Sequence, residues 1–148
     1  MEKTVVATNK KAYHEYNILE QFEAGIQLKG SEVKSIREGK ASLKQSYVLI
    51  RKGEAWLRGS HIASYSHTGY EGHDPVRNRK LLLHKKEIQK INSKLAEKGL
   101  TAIPTKLYLK NGFIKLEFGL AKGKKLYDKR ATKKKRDVER DIKRAMKA

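Results

Sequence analysis

The segment Lys106-Leu-Tyr-Leu-Lys-Asn-Gly-Phe-Ile-Lys-Leu-Glu117 decides the fold class. Its centre, Asn111-Gly112, suits a two-residue type I′ turn, because both central positions of that turn have positive φ. A hairpin folded about the turn has one apolar face and one face that carries an aromatic ring and charged side chains. The predicted cross-strand pairs are Leu109 with Ile114, Tyr108 with Lys115, Leu107 with Leu116, and Lys106 with Glu117.

Outward from this hairpin, the chain alternates short strands with two helices. A second hairpin, residues 47–57 around Lys52-Gly53, is apolar on both faces, which predicts a place in a barrel with something covering its outside. Residues 13–24 alternate loosely and predict a further strand. Residues 32–38 and 84–98 predict helices, each followed by glycine. These elements together predict a mainly β protein, a small antiparallel barrel with flanking helices.

The charge of the chain predicts a polyanionic partner. Lys and Arg number 35 against 16 Asp and Glu, a net charge of +19. Residues 122–148 hold 13 basic and four acidic residues, so they carry +9 of this charge and leave +10 for the preceding chain. The tail has too few large apolar residues to order itself, so we expect it to be disordered when free. The predicted division is a barrel domain at 1–123 and a basic tail at 124–148.

Several other classes of protein are disfavoured. The apolar runs are too short for a membrane span and the first residues do not resemble a secretory signal, so we expect a cytoplasmic protein. No cysteine is present. Gly119–Lys125 lacks the Ser or Thr that would hold magnesium in a phosphate loop, and His61, His67 and His73 lack further ligands. We therefore expect neither an enzyme nor a cofactor or metal.

Basic and aromatic residues interleave in two segments. Asn9–Tyr16 places Lys10 and Lys11 beside His14, and His73–Lys80 places three cations behind a proline. Lysine and arginine neutralise phosphates, whereas aromatic and imidazole rings stack on unpaired bases. On composition alone, RNA contact and a solvated basic loop over core tyrosines are equally supported.

Four segments in order then resemble the SsrA-binding protein family, also called small protein B. They are Asn9–Tyr16, Glu23–Ser35, Asp74–Leu83 and Gly123–Arg130, and the resemblance extends to the C-terminus. It implies an oligonucleotide-binding-type barrel and a monomeric factor that is not an enzyme. It also implies two partners, the tRNA-like domain of transfer-messenger RNA and the ribosome, where the protein serves trans-translation.

The resemblance also implies which residues bind RNA. Asn9, Lys10, Glu23 and Leu82 occupy positions that the family uses, although Leu82 is equally well interpreted as a core residue. Glu23 cannot attract phosphate, so we expect it to accept hydrogen bonds from bases or ribose. The full predicted RNA-binding set is Asn9, Lys10, His14, Glu23, Lys34, Arg37, Arg77, Arg79, Lys80 and Leu82, in which Arg77, Arg79 and Lys80 clamp phosphates.

The tail is predicted to lie in the empty message channel near the decoding centre. On a helix, Ile142 and Met146 share one apolar stripe with Val138, so we expect helix formation on the ribosome. The Tyr127 ring suits stacking on a ribosomal RNA base. The predicted ribosome-binding residues are Gly123, Lys124, Lys125, Tyr127, Asp128, Lys129, Arg130, Ile142 and Met146. The alternative is a basic ribosomal protein with an extended tail.

Overall fold

A computed structural model describes residues 3–64 and 72–124, which form nine strands and three helices. The strands are β1 (Lys3–Thr8), β2 (Tyr16–Ile26), β3 (Ala41–Ser42), β4 (Tyr47–Arg51), β5 (Glu54–Arg58), β6 (His61–Ile62), β7 (Arg79–Leu82), β8 (Thr101–Lys110) and β9 (Phe113–Gly123). The helices are α1 (Lys10–Glu15), α2 (Gly30–Arg37) and α3 (Lys85–Lys98).

The β8–β9 hairpin forms as the sequence predicts. All four predicted cross-strand pairs are present in its register. Asn111 and Gly112 have φ values of 53° and 78°, as a type I′ turn requires. Farther along, the register shifts between Pro104 and Lys106, which is where a strand tolerates a residue without an N–H group.

The main sheet is antiparallel and closes on itself. Its order is β1-β8-β4-β5-β7-β2-β9, and β9 pairs in turn with β8. Six strands therefore form a ring, to which β1 is added along β8, and β3 and β6 form a separate two-stranded sheet. The prediction of a mainly β, ring-like antiparallel fold with few helices is confirmed.

The core fills the inside of this ring. Inward-facing side chains such as Leu57, Leu107 and Phe118 are at most 2% exposed. Both predicted helices contribute to it, through Ile36 of α2 and Ile91 of α3. Helix α3 ends at Gly99, which has left-handed φ and ψ as a helix-terminating glycine should.

The first helix, α1, was not predicted. Residues 10–15 are helical, so β2 begins at Tyr16 rather than at residue 13. Ala12 of α1 packs with Ile103 and Ala121 in a small second apolar cluster. Ala12 therefore contacts residues that are distant in the sequence. Such tertiary contacts override local preference, and the alternation of the local sequence alone predicts a strand.

The β4–β5 hairpin differs from the prediction on its outer face. Its inner residues are buried as expected, but Leu49 and Trp56 on the outside are only partly buried and border an open cleft. Within residues 3–64 and 72–124, no element covers this face as predicted, and Arg51 and Arg58 border the cleft beside the two apolar residues.

Candidate functional site

An open groove of about 850 Å³ lies over β2, β7 and β5 and is bordered by the first residues of α3. Strand β2 contributes Glu23 and Gly25, and β7 contributes Lys80 and Leu82. We call this feature the Glu23 groove. Its basic wall residues are Lys52, Lys80, Lys85 and Lys115. The sequence-predicted residues Glu23, Lys80 and Leu82 thus come together in one place.

The carboxylate of Glu23 is held by a hydrogen bond from the buried Tyr108 hydroxyl. Lys110 lies 3.4 Å from the same carboxylate, and Glu23 remains 40% exposed. The pKa of Glu23 is lowered, first by the Tyr108 hydrogen bond and then by Lys110 and Lys115, which outweigh the opposing effect of partial burial. Glu23 is therefore an ionised, oriented acceptor that can receive hydrogen bonds from ribose or base donors.

Tyr108 is fixed from three sides. Its side chain is fully buried, its hydroxyl is bound to Glu23, and the ammonium of Lys3 lies 4.0 Å from the ring centroid. Burial raises the pKa of Tyr108, and the neighbouring Glu23 carboxylate raises it further. The phenol thus stays a proton donor, which is the form that Glu23 requires.

Leu82 projects from the groove floor rather than into the core. It is 54% exposed, whereas its neighbour Leu81 is 1% exposed. Gly25 lies opposite Leu82 in the β2–β7 ladder, and a Cβ at residue 25 would come within 3.2 Å of the Leu82 Cβ. Glycine at this position therefore sets how closely the two strands approach, and Leu82 is available for contact with a ligand.

Arg77 and Arg79 are not placed as phosphate clamps. Arg79 is completely buried, and its Nε donates to Glu32 Oε2 at 2.5 Å. Arg77 donates to Glu32 Oε1 at 2.5 Å and its side chain is 25% exposed. Of the three predicted clamps, only Lys80 faces outward; it is 38% exposed and lies 3.7 Å from Glu54.

The physical reason is the burial of Glu32 at the start of α2. Burial opposes ionisation of Glu32, but hydrogen bonds from Arg77, from the Lys29 N–H and from Arg79 outweigh it, so its pKa is lowered. Arg79 also donates to Ser60 and to the carbonyl groups of residues 74, 75 and 77. A buried carboxylate needs such partners, and they occupy both guanidinium groups.

Asn9, Lys10 and His14 lie together on and before α1, away from the Glu23 groove. Seven residues of β2 separate Glu23 from the start of the strand, roughly 23 Å. The Asn9 side chain is largely buried and donates to the Pro104 carbonyl at 2.9 Å, so it fastens α1 to β8. Lys10 is exposed and His14 is partly buried.

The start of the tail is attached to α1. Gly123 pairs with Tyr16, and the Lys124 N–H donates to the Glu15 carbonyl at 2.8 Å. The Lys124 ammonium also donates to the Tyr13 carbonyl at 3.2 Å. The remaining predicted tail residues lie outside the described residues; they are Lys125, Tyr127, Asp128, Lys129, Arg130, Ile142 and Met146.

The two predicted RNA-binding residues of α2, Lys34 and Arg37, are both exposed. Of the histidines, His61 is exposed, His67 is outside the described residues, and His73 is buried between Ser31 and the Ile62 carbonyl. Within residues 3–64 and 72–124, no group of three or more His, Asp or Glu side chains is arranged so that it could hold a metal ion. No helix in the same ranges is long and apolar enough to span a membrane.

Comparison with known proteins then decides the family. Residues 6–148 match the family described as SmpB protein. The chain belongs to the SmpB family. An SsrA-binding protein of Sulfurihydrogenibium sp. is 56% identical over 99% of this chain and 97% of its own, and one from Persephonella marina is 59% identical over 93% and 91%.

A solved structure of an SmpB protein agrees with the fold. It is described as "tmRNA-SmpB: a journey to the center of the bacterial ribosome", and its matching chain is 47% identical to this one. The TM-score is 0.67, with 80% of this chain and 84% of the other covered.

Three residues of this SmpB-family chain that shape the site were missed from the sequence. Tyr108 was assigned only to a hairpin face, and Glu32 only to a helix. Gly25 follows the strand predicted over residues 13–24 and has no predicted role. Their partners Glu23, Arg79 and Leu82 are 85, 47 and 57 residues away. One local signal existed for Glu32, since a carboxylate at the third position of a helix often bonds to the backbone before it.

Proposed function

We propose that this protein binds the tRNA-like domain of transfer-messenger RNA and delivers it to stalled ribosomes for trans-translation. The observation that carries this proposal is the Glu23 groove, where an oriented carboxylate and an exposed leucine lie among four lysines and two further carboxylates, Glu54 and Glu87. Lysines neutralise the phosphates of any RNA. The carboxylate accepts hydrogen bonds from ribose or base donors, and these contacts give the selectivity that phosphate contacts lack. Membership of the SmpB family and its SsrA-binding relatives support the same RNA.

Lys10 and the residues that follow Gly123 form the second part of the proposal. Lys124 contacts α1, so Lys10, His14 and Lys124 lie at one end of the barrel. We place the tail in the message channel near the decoding centre and the groove on transfer-messenger RNA. A protein with these roles acts as a monomer in the cytoplasm by binding RNA, without catalysing a reaction.

The experiment that tests the groove is a binding titration with an isolated tRNA-like domain. Leu82→Ala and Glu23→Ala are expected to weaken binding, each at an unchanged dependence on salt, because neither residue neutralises phosphate. The matched control is Leu19→Ala, since Leu19 is 61% exposed on the same strand as Glu23 and lies outside the groove. Equal affinity of the Leu82 and Leu19 variants would contradict the assignment of the groove.

The alternative of a ribosomal protein with an extended tail predicts a different outcome. Such a protein would copurify with intact subunits at unit stoichiometry, whereas the proposed factor enriches one structured RNA. A pull-down from bacterial lysate followed by RNA sequencing separates the two. Membership of the SmpB family favours the rescue factor.

A further inference from the structure

The outer face of the β4–β5 hairpin carries aromatic and basic side chains beyond the Glu23 groove. Alternate residues of each strand point outward, because the side chains of a strand alternate between its faces. Their inward neighbours Val48, Ala55 and Leu57 are 3%, 0% and 1% exposed, which fixes this direction. We call the Trp56 face the set of outward residues Tyr47, Leu49, Arg51, Glu54, Trp56, Arg58 and Lys80.

The strand register places Trp56 at the centre of this face. Trp56 lies opposite Leu49 on β4 and opposite Lys80 on β7. Arg51 and Arg58 lie on opposite sides of the Leu49–Trp56 pair, each about two residues or 7 Å along its strand. The surface forms a cleft of about 300 Å³ that Asn78 also borders.

The Trp56 face is not part of the core. Leu49 and Trp56 are partly buried and lie outside the apolar clusters of the described residues. Tyr47 is 41% exposed at one end of the face. An indole ring bordering an open cleft between two arginines is therefore accessible to a ligand.

The charges on this face favour RNA over an apolar protein partner. Arg51, Lys52 and Arg58 border the cleft together with Trp56, against the single acidic lining residue Glu54, which lies opposite Arg51 and 3.7 Å from Lys80. Unpaired bases stack on aromatic rings while cations neutralise the flanking phosphates. A duplex offers the phosphates but keeps its bases inside.

We propose that the Trp56 face binds single-stranded RNA, with an unpaired base stacked on Trp56 and the adjoining phosphates on Arg51 and Arg58. Asn78 borders the same cleft, so its amide can form a hydrogen bond with the edge of the stacked base. This surface shares Lys80 with the Glu23 groove, but Trp56, Arg51 and Arg58 lie outside the lining of that groove, so the proposal does not depend on the assignment of the groove.

The test uses the fluorescence of the full-length protein, because Trp56 is its single tryptophan. The probes are a uridine octamer, which presents unpaired bases, and a blunt RNA duplex. We expect the octamer to quench Trp56 emission in a saturable manner and the duplex to quench it little. Absence of quenching by the octamer would overturn the proposal and leave the face to a protein partner.

Variants then locate the bound octamer by fluorescence anisotropy of a dye on the RNA. Trp56→Leu should weaken octamer binding by roughly 5- to 150-fold, the range for loss of one stacked base, while Trp56→Phe retains most of the affinity. Arg51→Ala and Arg58→Ala should each flatten the salt dependence by about 0.7. Phe113→Ala is the control, because Phe113 is 68% exposed beside Lys115 in the other hairpin.

The outcome is separable from that of the proposed function. Leu82→Ala should weaken binding to the tRNA-like domain and leave octamer quenching intact. If Trp56→Leu is folded, as judged by its circular dichroism and melting temperature, and binds the octamer as tightly as the parent protein, the stacking proposal is refuted. Unchanged octamer binding by a folded Trp56→Phe variant together with strong loss in Trp56→Leu would support it.

Discussion

The hydroxyl of Tyr108 donates a hydrogen bond to the carboxylate of Glu23. The two residues lie on β8 and β2, the strands on either side of β9, and they are 85 residues apart in the chain. Tyr108 is fully buried, whereas Glu23 is 40% exposed. The hydrogen bond from this buried residue therefore fixes the orientation of a carboxylate that faces the groove.

Replacement of Tyr108 by Phe should raise the pKa of Glu23. The Tyr108 hydrogen bond is the largest cause that lowers this pKa, followed among the lowering causes by Lys110. Loss of the bond should also lower the free energy of unfolding by about 0.5–1.5 kcal/mol. Carboxyl-carbon NMR titration measures the first effect, and denaturant unfolding measures the second.

The sign of the pH dependence follows from the lowered pKa. Glu23 stabilises the fold at pH above its unfolded pKa of about 4.3, and that contribution is lost as the pH falls through the folded value. Lys110→Ala should also raise the pKa, because Lys110 lowers it both by its charge and by its hydrogen bond. A Tyr108→Phe variant with an unchanged Glu23 pKa would contradict the role assigned to the Tyr108 hydroxyl.

Arg79→Ala should destabilise the fold without altering the salt dependence of RNA binding. The substitution leaves Glu32 buried with one guanidinium partner fewer, and breaking a buried pair costs about 3–5 kcal/mol. Lys80→Ala is the matched comparison next in the chain, because Lys80 is exposed in the groove. It should leave the melting temperature nearly unchanged.

The two variants separate in a salt titration with the tRNA-like domain. Lys80→Ala should flatten the slope by roughly 0.7–0.9, the value for one phosphate contact. A folded Arg79→Ala protein that flattened the slope by the same amount would show that Arg79 meets phosphate after all.

Gly25→Ala should disturb the groove through Leu82. The added Cβ would lie 3.2 Å from the Leu82 Cβ, so Leu82 must move by a few tenths of an ångström at the point where it enters the groove. We expect weaker binding to the tRNA-like domain and a fall of about 1–3 kcal/mol in the free energy of unfolding, as in other overpacked sites. Calorimetric binding and thermal unfolding measure the two effects.

The control for this substitution is Gly123→Ala at the end of β9. A Cβ there would meet no atom within 4 Å, and the residue lacks the positive φ that would strain alanine. Its affinity for the tRNA-like domain should match that of the parent protein. Gly25→Ala binding as well as Gly123→Ala would refute the proposed role of the close approach.

The parts of the fold that the sequence predicts well depend on local chemistry. The Asn111-Gly112 turn determines the register of β8–β9, since positive φ at both residues leaves few alternatives. Arg79 shows the opposite case. In the sequence it is one of three neighbouring cations, and only the fold reveals that the partner Glu32, 47 residues earlier, is buried beside it. The acceptor of the Asn9 amide is likewise invisible in the sequence, because Pro104 lies on β8, far along the chain.

A chain ending at Lys124 should still bind the tRNA-like domain but fail to support peptide tagging. It keeps the contacts of Lys124 to Tyr13 and Glu15, and it keeps the whole Glu23 groove. Leu82→Ala in the full-length chain should lose both activities, because without RNA binding no transfer-messenger RNA reaches the ribosome. Binding is measured by titration and tagging by translation in vitro of a message without a stop codon. Equal loss of binding and tagging in the shortened chain would refute the separate roles of groove and tail.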